Sequence, residues 1–356
     1  MAYVKLYRSE LRHNFEFLDK LFKENNVKWG ITTKLLCGSK GFLEEVINLG
    51  IGEVHDSRIS NLQAIKEIDP DTITIYIKPP PKDAIPDVIR YADISLNTEL
   101  STLHELSDEA MRQDRVHKVI IMIEMGDLRE GVMREDLLNF YEKVFQLPGI
   151  EVVGLGTNLN CLHGVMPSSD KLIQLALYKQ IIELKFNRKI RWVSGGTTVV
   201  LPLILRGDLP DSVNHFRIGE ALYFGVDLFS GDIIDGMEPS VLELFTQVIE
   251  IHEKPLVPSG ELAANPQGDT MEIDEDLYGK TAFRAILDIG YLDIQPDFLI
   301  PKSKDIEIVD ASSDMLVVNV GQNERDLKVG DMVRFQLKYV GALGLMNSNY
   351  IDKYVE

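Results

Sequence analysis

The feature that most restricts the fold is an alternation of helix-like and strand-like segments that persists to about residue 235. Leu11, Phe15, Leu18, Leu21 and Phe22 recur at helical spacing behind Ser9, a natural N-cap, and lead into the strand-like stretch Val27 to Thr33. A helix expected from Phe42 to Leu49 precedes a strand from Glu53 to His55, and a helix from Arg58 to Ile68 precedes the β-branched run Thr72 to Ile77. Further strands are expected at Ile94 to Leu96, Val119 to Glu124, Val152 to Leu155, Arg191 to Val193 and Phe216 to Ile218, eight in all when counted from Val27. Several are apolar on consecutive residues, the mark of a parallel sheet buried on both faces. Eight such units in roughly 230 residues fit an α/β fold closed as a (β/α)8 TIM-type barrel better than an open sheet.

The pattern changes after Asp235. From Ser240 onward, alternating segments such as Val248 to Ile251, Ala282 to Leu287, Ile306 to Val309, Leu316 to Val320 and Met332 to Tyr339 are separated by turn residues, with no clear helix. The expected division is a barrel over 1–235 and a mainly β domain over 236–356. The stretch Val257 to Asp276, rich in Gly, Pro and Asn and then acidic, reads as a long solvated loop within the second domain.

Composition narrows the function classes. Of the 356 residues, 45% are hydrophobic and 26% charged, ordinary globular usage that excludes disorder. With 37 basic against 56 acidic residues the net charge is −19, and no local basic patch offsets it, so polyanions and anionic membranes should be repelled. Cys37 and Cys161 form no CxxC pair and no Cys/His ligand spacing, which argues against a disulfide framework or structural zinc and suits a reducing cytoplasm. The start lacks a signal-like apolar run, and nowhere do about 18 apolar residues follow one another.

In such a barrel the reactive groups sit at the C-terminal ends of the strands. Four polar features fall there: Lys34 after the first strand, Arg129 in GDLREG after the fifth, Ser194-Gly195-Gly196-Thr197-Thr198 after the seventh, and Arg217 in RIGEALYFG at the eighth. Taken singly, Lys34 reads equally as a solvated charge, and the Gly-rich turn as a plain connection. Together, hydroxyls and close backbone N–H groups where a helix begins at Val199 would suit a phosphate.

The stretches ITTKLLCG, EVHDSRISNLQAIK, YADISLNTEL, GDLREGV, GLGTNLNC, VSGGTT, NHFRIGEALYFG, AILDIGYLDI and YVGALGLMNSNYI carry, in this order from residue 31 to 351, a resemblance to the pyridoxal-phosphate-dependent alanine racemase-like enzymes (fold type III). The similarity is greatest to the ornithine racemase branch. The resemblance implies that Lys34 links covalently to pyridoxal phosphate and, once released, moves a proton at the substrate Cα. It also implies that Arg129 bonds the cofactor's phenolic oxygen, unless it is spent on an ion pair with Glu124 or Glu130. Arg217 would face the pyridine nitrogen, disfavouring its protonation and so favouring racemisation over transamination. Ser194, Gly195 and Thr197, with the backbone at Gly219 and Glu220, would cradle the phosphate. Asn158 stands where alanine racemases carry a histidine and would position rather than exchange protons.

Racemisation needs acid/base groups on both faces of a planar intermediate. The family's second base is a tyrosine in a Ser-Tyr-Gly turn of the partner's β domain, whereas this chain reads NPQGDT, with no tyrosine before Gly268. The substitutes are Cys161, which reads equally as a small buried residue, Tyr291 in DIGYLD, and Tyr278 as a weaker choice. The histidines form no HxxxH or HExxH pair, so no metal is expected; no GxGxxG or Walker lysine supports a nucleotide.

The function implied is a racemase of a free basic amino acid, ornithine or lysine. It would act as a homodimer with shared active sites, with neither a nucleic acid nor a membrane as partner. Alternatives are an alanine or broad-specificity racemase, a decarboxylase or aldolase on the same scaffold, a non-enzymatic cofactor-holding protein, and a barrel binding a sugar or phosphate without the cofactor.

Overall fold

The computed structural model describes residues 2–264, 268, 270 and 272–356. Contacts divide it into two compact units, Tyr7–Val241 with Val355, and Met1–Leu6 with Leu242–Tyr354 and Glu356.

A short strand β1 (Tyr3–Leu6) comes first, followed by helix α1 (Arg8–Glu24) and then the strands of a closed parallel barrel. These are β2 (Lys28–Thr32), β3 (Glu53–Asp56), β4 (Ile73–Tyr76), β5 (Ile94–Asn97), β6 (His117–Met122), β7 (Ile150–Gly156), β8 (Trp192–Ser194) and β9 (His215–Ile218). Each expected strand is present, shifted by at most two residues at either end. The helices between them are α2 (Lys40–Ile47), α3 (Ile59–Ile68), α4 (Ile85–Tyr91), α5 (Leu100–Arg112), α6 (Leu137–Val144), α7 (Ser169–Phe186) and α8 (Leu201–Leu205), and α9 (Glu220–Phe224) follows β9. α1 buries the stripe Leu11, Phe15, Leu18 and Phe22, as its spacing requires. Its N-cap is Tyr7 rather than Ser9; the Ser9 hydroxyl lies inside the first turn and bonds Glu10.

The barrel interior is divided by chemistry. One side is apolar, with Ile75, Ile94, Leu96, Ile120, Met122, Val153 and Trp192 in a single cluster. The other side buries Glu53, His55, His215 and Arg217. Glu53 and His55 alternate on β3, and His215 and Arg217 on β9, so each pair points to one face of its strand. β2 lies between these two strands, and Gly30 stands on it beside Arg217. A Cβ at Gly30 would lie 2.6 Å from His55 Nε2. The missing side chain is what lets polar groups from β3 and β9 meet across β2.

In the second unit, β10 (Leu242–Pro255) runs through two antiparallel sheets. One sheet is ordered β10, β11 (Thr281–Leu287), β14 (Leu316–Asn319) and β13 (Glu307–Ala311). The other pairs β10 with β1 and with β15 (Met332–Leu337), and adds β12 (Leu299–Pro301) beside β15 and β16 (Asp352–Val355) beside β1. A register shift between Val248 and Glu250 marks where β10 passes from one sheet to the other. The reading of this region as lacking a helix is wrong at α10 (Tyr339–Asn347). That segment, YVGALGLMN, is apolar around nearly its whole circumference and therefore shows no helical period.

Candidate active site

Lys34 follows β2 in a 3-10 turn, Lys34–Leu36, with an exposed side chain. The residue before it is fixed. Thr33 donates its N–H to the His55 carbonyl at 2.9 Å and its hydroxyl to Asp56 Oδ2 at 2.8 Å. Asp56, at the end of β3, also accepts from the Arg58 N–H and from Asn61 Nδ2. Burial pushes the Asp56 carboxyl up, against the pull of these donors.

Arg217, at the far end of β9, is 2% exposed. Its guanidinium donates from Nη1 to Ser194 Oγ and from Nη2 to the Thr157 carbonyl at 2.9 Å and to Asn158 Oδ1. These acceptors are all neutral oxygens. Burial pulls Arg217 down to about 10, which leaves it a cation at neutral pH. Asn158 Nδ2 donates in turn to Glu130 Oε1, and both oxygens of Glu130 are bridged by the Arg129 guanidinium. Arg129, Glu130, Asn158 and Arg217 thus form one continuous chain. Of the two ion pairs expected for Arg129, the one with Glu130 forms; Glu124 instead accepts the backbone N–H groups of Gly126 and Leu128.

Cys161 lies in the loop after β7 and is exposed, which removes the reading as a small buried residue. Its electrostatic interaction with Arg129 and Arg217 puts it in the same neighbourhood. The loop is held by Asp127, 1% exposed, whose carboxylate accepts the N–H groups of Cys161, Leu162, His163 and Val165 at 2.9–3.3 Å. Burial works to raise the Asp127 carboxyl, but the four donors outweigh it and hold it low. Asp127 is therefore committed to shaping this loop.

The residues expected at a phosphate cradle fall into two groups, inward and open. The Ser194 hydroxyl is wholly buried between Arg217 and His215, and the Gly195 N–H donates to the His215 carbonyl at 3.0 Å. Both are committed to the barrel because β8 points Ser194 inward. The open part of the turn is Gly196, at φ +126°, where a built Cβ meets no atom within 4 Å. Thr197 and Gly219 are partly exposed beside it, and Thr198 Oγ1, from the same polar stretch, accepts the Ala221 N–H at 3.3 Å.

Glu220 opens α9. Burial pushes its carboxyl up to about 7, against the pull of Lys34. Because the folded value lies above the ordinary 4.5, Glu220 costs no stability below pH 4.5, and its cost grows as pH rises through 7. Glu220→Gln should therefore stabilise the protein by roughly 2 kcal/mol at pH 8 and by nothing near pH 4.5, read by thermal unfolding across that range.

Tyr291 and Tyr278 belong to the second unit. Tyr291 donates its hydroxyl to Asp310 Oδ1 at 2.9 Å, beside a cleft lined by Gln295, Asp297 and Ile308, and Tyr278 is exposed. Of the NPQGDT segment, Asn265, Pro266, Gln267 and Asp269 lie outside the described residues.

A family model described as the alanine racemase N-terminal domain matches residues 7–227, the whole of the barrel that carries these groups. The chain belongs to the alanine racemase family. Among the relatives of this alanine racemase family chain, an ornithine racemase of Acetoanaerobium sticklandii is 35% identical over 346 residues, covering 97% of each chain. A lysine racemase of Thermotoga maritima is 30% identical over 358 residues, covering 100% of this chain and 99% of the relative. In fold, the chain is similar to the alanine racemase of Bartonella henselae with covalently bound pyridoxal phosphate, at a TM-score of 0.75 and 15% identity, covering 100% of this chain and 99% of the other.

Several groups of this alanine racemase family site escaped the sequence reading. Glu53, His55 and His215 look scattered in sequence, yet Glu53 Oε1 accepts from His55 Nε2 at 2.7 Å and from His215 Nε2 at 2.6 Å. The available signal was polar residues two apart within short strands, Glu53 with His55 and His215 with Arg217. Glu130 was named only as a possible ion-pair partner of Arg129.

Proposed function

We propose that this protein is a pyridoxal-phosphate-dependent racemase of free basic amino acids, ornithine or lysine, with Lys34 and Cys161 as its two acid/base groups. The observation that carries the reading is the pairing of an exposed lysine after β2 with a buried arginine on β9 that bonds only neutral oxygens. The two racemase relatives, matched over nearly full length, support the substrate class.

The residues present fit the cofactor. The open backbone at Gly196, with Thr197 and the N-terminal turn at Gly219 and Glu220, suits a phosphate, and Lys34 offers a primary amine. Arg217 is the cation for its ring nitrogen, with Asn158 and Ser194 setting its plane, and Arg129, whose Nε and Nη2 are taken by Glu130, has Nη1 left outside that pair for the phenolic oxygen. Pyridoxal phosphate, when bound, supplies an electron sink that acidifies the substrate Cα–H.

The Lys34 amine takes the Cα proton from one face, and the Cys161 thiol gives a proton to the other; the reverse direction exchanges these roles. Around the barrel, β9 and β8 stand between β2 and β7, so the two groups approach the mouth from different sides. Tyr291 is the alternative second base. Asp127 fixes the backbone of the Cys161 loop, and Asn158 holds Arg217 and Glu130 in register.

We further propose a homodimer with shared sites, acting in the cytoplasm. Two cysteines outside any disulfide support a reducing compartment, and among the described residues no helix is long and apolar enough to cross a membrane. Chiral separation after incubation with cofactor should show conversion of L-ornithine or L-lysine faster than of L-alanine. Faster conversion of alanine would overturn the substrate class, a strictly monomeric active species in sedimentation would overturn the dimer, and exclusion from the cytoplasmic fraction would overturn the location.

A further inference from the structure

We infer that Glu53, deep in the barrel, is a positioning residue that acts on Arg217 through a relay of His215 and Ser194. The inference rests on the racemase reading for its consequence, though not for its geometry. A carboxylate only accepts, so the imidazoles that reach Glu53 Oε1 must each carry their proton on Nε2. Ser194 Oγ accepts from Arg217 Nη1 through a lone pair and has one proton to give, and His215 Nδ1 stands 2.8 Å away to receive it. The order is then fixed: Arg217 donates to Ser194, Ser194 to His215, and His215 to Glu53.

His55 closes the far side. With its proton on Nε2, its Nδ1 is left a bare lone pair, and this atom is buried without a partner. His215 is further pinned by stacking on Trp192, with centroids 4.7 Å apart and planes 14° from parallel. The three ligand-type atoms of Glu53, His55 and His215 lie within 4.8 Å of one another, close enough in principle for a metal. One shared oxygen bonded to both rings at 2.6 and 2.7 Å is instead the geometry of hydrogen bonds.

The consequence concerns Arg217. Its own acceptors are neutral, and the nearest carboxylates on its chain of contacts are Glu53, two side chains away, and Glu130, one side chain away through Asn158. Between them these two anions set the plane of a buried cation without neutralising it by direct contact. A carboxylate paired directly to Arg217 would compete with any acceptor brought to the barrel mouth, whereas a relay holds the orientation and leaves the charge facing outward.

The test uses the full-length holoenzyme labelled with nitrogen-15 at histidine. Long-range proton–nitrogen spectra should show His215 neutral with its proton on Nε2, and this signal should move in Glu53→Gln. A proton on Nδ1, or on both nitrogens, would overturn the relay. Glu53→Gln and Ser194→Ala should each lower kcat about tenfold with little change in KM, and should alter the absorption spectrum of the bound cofactor. Because both cut one chain, the double variant should be no slower than the slower single variant; losses that multiply would overturn the inference.

If Glu53→Gln does not fold, Ser194→Ala, which leaves the Glu53 contacts intact, decides alone: an unchanged kcat and spectrum would overturn the proposal. If the wild-type chain racemises nothing, the functional reading fails, and the His215 tautomer still decides whether the relay exists.

Discussion

Lys34→Ala should lower Cα proton exchange at least about 1,000-fold while leaving the fold in place. The side chain is exposed, and its turn is anchored by neighbours: Thr33 through His55 and Asp56, and Cys37 through the Lys34 carbonyl. Truncation beyond Cβ touches none of these anchors, so unfolding free energy should shift by no more than about 0.5 kcal/mol. Activity is another matter, because in the proposed mechanism Lys34 is both the point of attachment of the cofactor and the base for one face. The check is exchange in deuterated water beside a denaturant titration. Retention of more than about a tenth of the wild-type rate would show that another residue does this work.

Arg217→Met should damage both activity and stability, in contrast to Lys34. Removing the guanidinium strands Ser194 Oγ, the Thr157 carbonyl and Asn158 Oδ1 in a buried space, and takes away the cation that Glu53 and Glu130 face. Unsatisfied buried acceptors cost about 1–3 kcal/mol each, with partial relaxation, so a total loss of roughly 3 kcal/mol is expected by chemical denaturation. In the proposed site Arg217 is the cation facing the ring nitrogen of the cofactor, so its loss should lower kcat by about 100-fold or more. Arg217→Lys keeps the charge but not the fork, so it should recover part of the stability and little of the rate. A methionine variant as stable as the wild type would contradict the assignment of Arg217 as the hub of the buried network.

The barrel was legible because short strand-like runs alternate with helical patterns along the chain, and that alternation located β2 to β9. What periodicity could not show is pairing across the chain. β1 joins the sheet of the second unit through residues 242–245, a contact between segments more than 200 residues apart that no local pattern encodes. α10 was missed for the opposite reason, since a helix apolar on nearly every face carries no period.

At the site, Lys34, Arg129 and Arg217 were visible as polar residues at strand ends and Asn158 only through the family resemblance, and the structure brings Arg129, Asn158 and Arg217 into one hydrogen-bonded chain. Ser194 was also visible, but its inward direction was not, because a three-residue strand leaves the phase of alternation undetermined by sequence. Glu53 and His215 are 162 residues apart, and their meeting depends on the absent side chain of Gly30 on the strand between them.

The decisive experiment follows L-ornithine and L-lysine with the cofactor-loaded protein in deuterated water, separating enantiomers early in the reaction. Two acid/base groups on opposite faces give a D-product carrying deuterium at Cα while the remaining L-substrate is largely unlabelled. Deuterium appearing equally in both enantiomers, or a D-product that keeps the substrate's own protium, would mean that a single base serves both faces, and no exchange with any amino acid would contradict the racemase reading itself.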